Sequence, residues 1–340
     1  MERWQVTDCP EIPAFVSSTS GTTAQARFFY LSREAYENSA KRFVKALKSL
    51  NLKPKNVLLN LAGKDRTALW QGVLGVRLAN LIPIIGPLPQ SNNIDRILFL
   101  IKKFKPVAIF ISTDSLWELF SQVNEKVSVN KIMYMGAPLP EKAKQIIKQK
   151  TGAKFLSVYG CEEVGMIGLK EENKIFFNLF DQPGLYIEVL NSKGEAKEYG
   201  EGEIVITDLC NFSTPIIRYR LGDKVKIFRR GSKKLLALFG RADKYTKVMG
   251  NVTSIGYLIN TVKQILGHPK FSIVLTKTEP GIEDEIKLVL PTTEKKDIKK
   301  LNQIRKVFKT NFRAKVNLVF SDKAIPLRTG KYQNFIDLRK

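Results

Sequence analysis

Histidine and cysteine are scarce in this chain of 340 residues, and their scarcity excludes several kinds of chemistry. With His268 as the single histidine, we expect neither a histidine-rich metal centre nor a Ser-His-Asp triad. The three cysteines, Cys9, Cys161 and Cys210, are too few and too scattered for a disulfide framework or a zinc site. Much conventional hydrolase chemistry is therefore excluded.

Long apolar runs are also lacking. The most apolar stretch, residues 73–88, is interrupted by Arg77, Asn80, two prolines and a glycine. A membrane-spanning helix needs about 20 apolar residues, so this stretch is too short and too broken. The opening MERWQVTDCPEIP has no apolar core of the kind found in secretory signals. We expect a cytoplasmic protein that does not associate with membranes.

Positive charge is in excess, since Lys and Arg number 56 and Asp and Glu 32, a net charge of +24. Such an excess suits nucleic acid, an anionic surface or an acidic protein partner, but it carries no information about fold. No combination of basic and aromatic residues typical of a nucleic-acid-binding motif occurs, so we expect no specific nucleic-acid binding. The 44% of hydrophobic residues is enough for a sizeable core.

The apolar periodicity of the first half predicts alternating strands and helices. The predicted helices are 31–50, with Ser32 as N-cap, 67–79, 94–104, a segment after 112 through 120, and 141–150. The predicted strands are 57–63, 81–86, 107–112, 131–136 and 154–160. This alternation is typical of a parallel sheet wrapped by helices, with ligands bound at the carboxyl ends of the strands.

The second half follows a different pattern. From Gly184, alternating segments separated by turn sequences predict antiparallel strands (LYIEVL, GEIVIT, KVKIF and KLLALFG). A smaller unit then follows, with helices at 257–266 and 294–311 and strands at 271–276, 285–290 and 315–320. We therefore predict an α/β protein with a large N-terminal domain of mixed sheets wrapped by helices, residues 1–242, and a small α+β C-terminal domain, residues 243–340.

Five polar segments could carry chemistry. They are SSTSGTTAQAR (17–27), VYGCEEVG (158–165), STPIIRYRLGD (213–223), LFGRADKYTKVMG (238–250) and IPLRTGKYQNF (325–335). The first is a hydroxyl-rich loop suited to phosphate oxygens, and the second has two adjacent carboxylates that could hold magnesium. Taken singly, each is equally compatible with a solvated loop or a charged turn around a glycine.

In this order and spacing, the five segments resemble the signature motifs of the acyl-adenylate-forming (AMP-binding) superfamily, over nearly the whole chain. TPIIRYRLGD is similar to the arginine-rich segment of the phenylacetate–CoA ligase branch, and GAPLPEKAKQIIKQKTGAKFLSVYG matches that branch in wording and order. The resemblance implies a large domain that binds ATP and a carboxylate, with a shortened N-terminus here, and a small mobile C-terminal lid domain.

The resemblance also implies which residues bind ATP. They are Ser20, Thr22 and Thr23 on the phosphates, Ala137, Pro138 and Tyr159 around the adenine, and Asp223 and Arg241 at the ribose and phosphate. Glu163, the final acid of the YGxxE pattern, would bind Mg²⁺. Lys331 would bridge the carboxylate and the α-phosphate, so the implied catalytic residues are Lys331, Glu163 and Thr22. Asp243 would form the hinge of the lid domain.

The chain departs from the family pattern at several places, among them Ala24, where the phosphate loop usually ends in glycine. Glu162 stands where the family has Ser or Thr, and it could either add a magnesium ligand or repel the phosphates. The segment NVTSIGYL after Gly250 lacks the sequence pattern of the family in the region that builds the thiol-acceptor face. Fewer residues precede the phosphate loop than in the family, and a homodimer could cover the surface that this exposes.

The function implied is ATP-dependent activation of a small carboxylic acid through an acyl-AMP, with release of pyrophosphate and transfer to CoA. One alternative is transfer to an acidic carrier protein or another non-CoA acceptor, which the positive charge would suit. Another is a non-catalytic protein that binds a nucleotide or nucleic acid. The expected cofactors are ATP, Mg²⁺ and CoA.

Overall fold

A computed structural model describes residues 12–18, 28–63, 67–136, 138–180, 184–241, 245–248, 251–277, 284–312, 314–323, 325, 327–328 and 331–339. The chain divides into two compact units. The first comprises Met1–Pro138 and Lys148–Ala242, and the second comprises Leu139–Ile147 and Asp243–Lys340. Within the described ranges, no helix is both long and apolar enough to cross a membrane.

Strands and helices alternate through the first part of the chain. Its strands are β1 (Phe15–Ser18), β2 (Phe28–Leu31), β3 (Val57–Asn60), β4 (Ile82–Ile85), β5 (Ala108–Ser112), β6 (Lys131–Met135), β7 (Lys154–Cys161), β8 (Gly165–Glu171), β9 (Phe177–Leu179), β10 (Leu185–Leu190), β11 (Ala196–Lys197), β12 (Gly200–Asp208), β13 (Ile216–Arg230) and β14 (Lys233–Arg241). Its helices are α1 (Arg33–Lys48), α2 (Thr67–Leu78), α3 (Ile94–Phe104), α4 (Thr113–Gln122) and α5 (Glu141–Thr151).

Local sequence explains where these helices begin. The side chain of Ser32 accepts a hydrogen bond from the backbone N–H of Ala35 and caps α1, as predicted. Ser112 caps α4 in the same way, through the backbone N–H of Ser115. The predicted helices and strands of this half are present within a few residues of their expected ends.

Twelve strands of the first unit form a single sheet in the order β11-β10-β12-β13-β14-β9-β8-β7-β6-β5-β3-β4. The five strands β4, β3, β5, β6 and β7 pair in parallel. The remaining pairs of this sheet are antiparallel. The predicted parallel and antiparallel regions are therefore joined, and β8 and β9, which were not predicted, join them. β8 is buried along its first five residues, so it lacks the alternation that marks a half-exposed strand.

The segment STPIIRYRLGD, for which a charged turn was one interpretation, is mostly a strand. Residues 216–230 form the continuous strand β13. Between the pairs Glu203↔Lys224 and Val205↔Arg220, β13 advances four residues while β12 advances two. The extra residues form a bulge at which Gly222 takes a φ of +75°, a value that favours glycine. The bulge lies directly before Asp223.

The second unit is a four-stranded sheet packed against two helices. Its elements are β15 (Tyr245–Val248), β16 (Asn251–Ser254), α6 (Ile255–Leu266), β17 (Ser272–Lys277), β18 (Asp284–Leu290), a 3-10 helix (Thr292–Lys296), α7 (Ile298–Asn311), β19 (Val316–Phe320), β20 (Leu327–Arg328), β21 (Lys331–Tyr332) and β22 (Phe335–Asp337). The sheet order is β19-β18-β17-β22. Apolar residues of α6, α7 and the sheet share one buried core, which includes Leu258, Phe271 and Phe308.

The helix predicted at 294–311 is interrupted at Asp297. Its side chain accepts a hydrogen bond from the backbone N–H of Lys300, so Asp297 caps α7 and separates it from the 3-10 helix. The nearby His268 is buried, and its Nδ1 accepts from the backbone N–H of Lys270. The neutral ring therefore carries its proton on Nε2, which lies 3.0 Å from Glu294 Oε1.

Glu294→Gln is expected to destabilise the second unit at neutral pH and to have little effect in acid. Burial raises the pKa of Glu294, but hydrogen bonds from His268 and Lys300 outweigh it and lower the pKa from 4.5 to about 2. A lowered pKa in the folded state stabilises the fold above pH 4.5, and the stabilisation disappears as the pH falls towards 2. This shift in pKa corresponds to roughly 3 kcal/mol of unfolding free energy.

Urea unfolding at pH 7 and pH 3, read from hydrogen exchange in α6 and β17, measures this effect. The wild-type protein should exceed the variant in unfolding free energy at pH 7, and the difference should shrink at pH 3. A difference of equal size at both pH values would contradict the prediction.

Candidate active site

Several of the candidate residues lie at the carboxyl ends of β6 and β7. Met135 pairs with Val158 in parallel register, so the residues that follow them, Gly136 and Tyr159, continue side by side. β7 leads into a turn of three residues, 162–164, before β8 begins. Tyr159 lies near the end of β7, whereas Pro138 and Glu163 follow the ends of β6 and β7, and Pro138 is exposed.

Tyr159 and Asp223 meet at this end of the sheet, although they are 64 residues apart in the chain. The phenol of Tyr159 donates a hydrogen bond of 3.0 Å to Asp223 Oδ2. The Tyr159 ring is buried and lies 5.7 Å from the ring of Phe177, measured between centroids. The hydroxyl thus holds the carboxylate in a defined position. Stacking of the ring on adenine stays a prediction.

Asp223 also lies opposite Arg241. The two residues are register partners across the antiparallel pair β13–β14. Side chains of directly opposed residues have Cβ atoms about 5 Å apart. The backbone therefore brings a third predicted residue to the same place, while the side chain of Arg241 lies outside the described part of the chain.

Glu163 is the central residue of the turn between β7 and β8, and its side chain is buried. Its Oε1 accepts a hydrogen bond of 2.9 Å from the hydroxyl of Tyr219 on β13. Sequence reasoning missed Tyr219, whose only signal was its place between two arginines in a strand. Side chains of adjacent residues in a regular strand lie on opposite faces, so Tyr219 points away from the face of Arg220.

The two arginines of IRYR lie outside this cluster. Arg218 pairs with Glu188 at 3.7 Å, and Arg220 pairs with Glu203. Both arginine side chains are more than half exposed. Arg220 pairs with a residue of the neighbouring strand β12, whereas Arg218 reaches past β12 to Glu188 of β10. Each pair joins an exposed arginine to a largely buried glutamate.

Glu162 and Glu163 differ sharply in their surroundings, although they are adjacent. Glu162 Oε2 accepts a hydrogen bond of 3.0 Å from the backbone N–H of Thr67, the first residue of α2. A carboxylate at this place satisfies a helix N–H group and interacts favourably with the helix dipole. Glu162 therefore serves as a cap for α2, a role that neither sequence hypothesis for this residue included.

Cys161 is a poor nucleophile in this setting. Burial raises the pKa of its thiol well above the usual value, and the carboxylate of Glu163 raises it further. Burial is the larger of these two causes, and it depends on the tertiary structure. The neutral thiol form predominates at physiological pH.

Several predicted site residues lie outside the described residues. They are Ser20, Thr22 and Thr23 of the predicted phosphate loop, Ala137 and Asp243. Lys331 is described by its backbone alone, as a residue of β21 opposite Arg328. The roles of all these residues stay predictions.

The donor set around Glu163 suits magnesium rather than a transition metal. A carboxylate oxygen is a hard ligand, and Mg²⁺ is commonly bound through one or two carboxylates together with substrate phosphates. The described residues contain no group of three or more His, Cys, Asp or Glu side chains able to hold a metal ion by themselves. Glu163 therefore fits a magnesium ion whose remaining ligands come from phosphate and water.

The fold is similar to that of solved CoA ligases. A solved structure of 2-hydroxyisobutyryl-CoA ligase, in the postadenylation state with R3-HIB-AMP, matches with a TM-score of 0.74 at 16% identity. The match covers 98% of this chain and 77% of that chain. The predicted fold class is thereby confirmed.

Two curated proteins are similar in sequence, and no family model matches. Indoleacetate–lysine synthetase of Pseudomonas savastanoi is 31% identical over 158 residues, covering 45% of this chain and 37% of that protein. Phenylacetate–coenzyme A ligase of Escherichia coli K12 is 22% identical over 258 residues, covering 69% of this chain and 56% of that protein. The chain thus spans less than two thirds of either relative's length. These relatives and the fold confirm the resemblance that the motifs indicate.

Proposed function

We propose that the chain activates a carboxylic acid with ATP, forming an acyl-AMP and releasing pyrophosphate, and then passes the acyl group to coenzyme A. It would act as an AMP-forming acid–thiol ligase. The observation that carries the proposal is the meeting of Tyr159, Asp223 and Arg241. These residues come from three separate motifs, and the same motifs point to a nucleotide site in the superfamily that the chain resembles.

The positioned groups suit the parts of a bound ATP. Asp223, oriented by the phenol of Tyr159, would accept hydrogen bonds from the ribose hydroxyls. Arg241, opposite Asp223, would reach the ribose and the phosphate. Pro138 and Ala137, after the carboxyl end of β6, would line the adenine. The hydroxyls of Ser20, Thr22 and Thr23 would hold the phosphates.

The chemistry requires little from general acids or bases. A carboxylate is already an adequate nucleophile: its oxygen bonds to the α-phosphorus of ATP as the bond from that phosphorus to the pyrophosphate oxygen breaks. Negative charge builds on the phosphate oxygens, and catalysis consists mainly of positioning and electrostatic stabilisation. Magnesium would supply charge neutralisation when bound. Glu163, held by Tyr219, would orient it, and Lys331 would stabilise the reacting oxygens.

We assign the nucleotide and carboxylate to residues 1–242 and the role of a mobile lid to residues 243–340, with Asp243 at the hinge. The division of the chain into two compact units supports this assignment. A lid that carries Lys331 would exclude water and complete the site only when substrate is bound.

The acceptor has a second candidate. The relative from Pseudomonas savastanoi is an indoleacetate–lysine synthetase, so an amine is an alternative to the CoA thiol. An acidic carrier protein is a further form of non-CoA acceptor. Within the described part of the chain, α7 exposes Lys299, Arg305, Lys306 and Lys309 without an ion pair, and this positive face favours an acidic partner.

Pyrophosphate release with ATP, Mg²⁺ and a panel of aryl and fatty acids tests the proposal. Each acid is assayed alone, with CoA and with lysine, and the products are identified by mass spectrometry. We expect acid-dependent release, with a thioester formed when CoA is present. An amide with lysine would favour the second acceptor. Failure of every acid to release pyrophosphate, with ATP still bound, would overturn the enzymatic proposal.

A further inference from the structure

We propose that Thr67 is a positioning residue that couples the predicted phosphate loop to the turn carrying Glu163, and that Glu162 serves this coupling instead of binding magnesium. The inference rests on the proposed function, since it concerns the same site. It begins from the place of Thr67 at the start of α2, between the end of β1 and the turn 162–164.

Thr67 contacts both neighbouring segments. Its hydroxyl lies 2.7 Å from the backbone carbonyl oxygen of Glu162, and its backbone N–H donates to Glu162 Oε2 at 3.0 Å. The Oγ atoms of Thr67 and Ser17 lie 2.9 Å apart. Ser17 belongs to β1 and is the first residue of the predicted phosphate loop, 17–27. One side chain therefore bridges the loop and the turn.

The protons in this network have only one consistent arrangement. A carbonyl oxygen can only accept, so the single proton of the Thr67 hydroxyl goes to Glu162. The hydroxyl of Thr67 then accepts the proton of Ser17. Ser17 and Thr67 are 2% and 1% exposed, so water cannot readily replace either bond. Loss of the Thr67 hydroxyl would leave buried polar groups without partners.

The other side of the turn is held as well. The carbonyl oxygen of Val164 accepts from Arg42 Nη2 at 2.6 Å and from Gln71 Nε2 at 3.4 Å. Gly165, next in the chain, has a φ of +80°, and a Cβ there would lie 1.6 Å from Gln71 Nε2. The backbone carbonyls of the residues before and after Glu163 are thus both hydrogen-bonded to side chains of α1 or α2.

This arrangement separates the roles of the two adjacent acids. Glu162 is bound through both its carboxylate and its carbonyl to the start of α2, whereas Glu163 extends towards Tyr219. A shift of the turn would be transmitted through Thr67 to Ser17, where the phosphate loop begins. The geometry therefore links the position of the carboxylate proposed to bind magnesium to that of Ser17 in β1, where the predicted phosphate loop begins.

The test compares the affinity for ATP with and without Mg²⁺, measured by calorimetry in Mg²⁺ or in EDTA. The variants are Thr67→Val, which removes the hydroxyl at constant shape, Thr67→Ser, which keeps it, and Thr151→Val as control. Thr151 is a buried threonine at the end of α5, beside the start of β7, and its hydroxyl accepts from the backbone N–H of Ala153. The readout is the factor by which Mg²⁺ tightens ATP binding, which a purely structural role would not change.

We expect Thr67→Val to reduce this factor about tenfold, and Thr67→Ser and Thr151→Val to preserve it. Ser17→Ala should produce the same loss, and it serves as the second variant if Thr67→Val does not fold. A full magnesium effect in Thr67→Val or Ser17→Ala would overturn the coupling, as would an equal loss in Thr151→Val. A wild-type protein that binds no ATP would overturn the proposed function as well, so the two failures are distinguishable.

Discussion

Lys331→Ala is expected to lower acyl-AMP formation roughly 10²–10³-fold while leaving ATP binding nearly unchanged. The expected loss is large because a lysine cation at the α-phosphate acts where negative charge develops in the transition state. ATP binding is expected to persist because the adenine, ribose and metal contacts proposed above come from residues 1–242. Acyl-AMP formation is measured by trapping with hydroxylamine, and ATP binding by calorimetry.

The backbone around Lys331 supports such a role. The residue lies in the short hairpin β20–β21, opposite Arg328. The segment that follows the hairpin is hydrogen-bonded to the start of β17. The hydroxyl of Ser272 donates to the carbonyl of Gln333 at 2.7 Å. The side chain of Asn334 donates to the carbonyls of Pro269 and Phe271 at 2.8 and 2.7 Å. The chain is therefore held in place directly after the hairpin.

Lys323→Ala is the matched control, since Lys323 is an exposed lysine of the same region. It removes one positive charge from the second unit without altering the hairpin. Acyl-AMP formation in the Lys323 variant should equal that of the wild-type protein. Unchanged adenylation in Lys331→Ala would remove this lysine from the mechanism and would leave the role of the second unit without its main support.

Glu163→Gln is expected to reduce magnesium-dependent turnover about 10²-fold, whereas Glu162→Gln should change it by no more than about threefold. The two variants remove the same charge from adjacent residues, so each is the control for the other. Glutamine keeps an oxygen that can accept the N–H of Thr67, so the cap of α2 survives in the Glu162 variant. In the Glu163 variant the ligand for Mg²⁺ loses its charge.

Pyrophosphate release over a range of Mg²⁺ concentrations distinguishes the two acids. A higher Mg²⁺ concentration should partly restore pyrophosphate release by the Glu163→Gln variant, because its weakened ligand lowers the affinity for the metal. The melting temperature of each variant is measured alongside, to show whether the cap of α2 survives the substitution. The reverse ranking of the two variants would mean that Glu162 binds the metal.

Much of the fold could be predicted because its signals are local. Ser32 caps α1, and the periods of the apolar residues mark most helices and strands. β8 and β9 were missed because they are buried or short, and β22 because a three-residue strand carries almost no pattern of its own. The parallel and antiparallel regions of the large sheet are joined by two of these strands, β8 and β9. This join is stabilised by hydrogen bonds between strands far apart in the chain.

The candidate site was predicted in part for a similar reason. Tyr159, Glu163 and Asp223 stand in motifs, and each could be named from the chain alone. Tyr219 could not, because its contact with Glu163 spans 56 residues and depends on the register of β13. The bulge at Gly222 could not be predicted either, since it is defined only by the pairing of β12 with β13.

The sequence by itself determined the order of the elements, the resemblance to adenylate-forming ligases and the placement of the candidate residues after strand ends. Those features depend on local periodicity and on residue types at short spacing. Only the tertiary structure decided between the two acids of the turn. Successive side chains of a turn point in different directions, and the packing of α2 against the turn directs Glu162 to Thr67, while Glu163 extends to Tyr219.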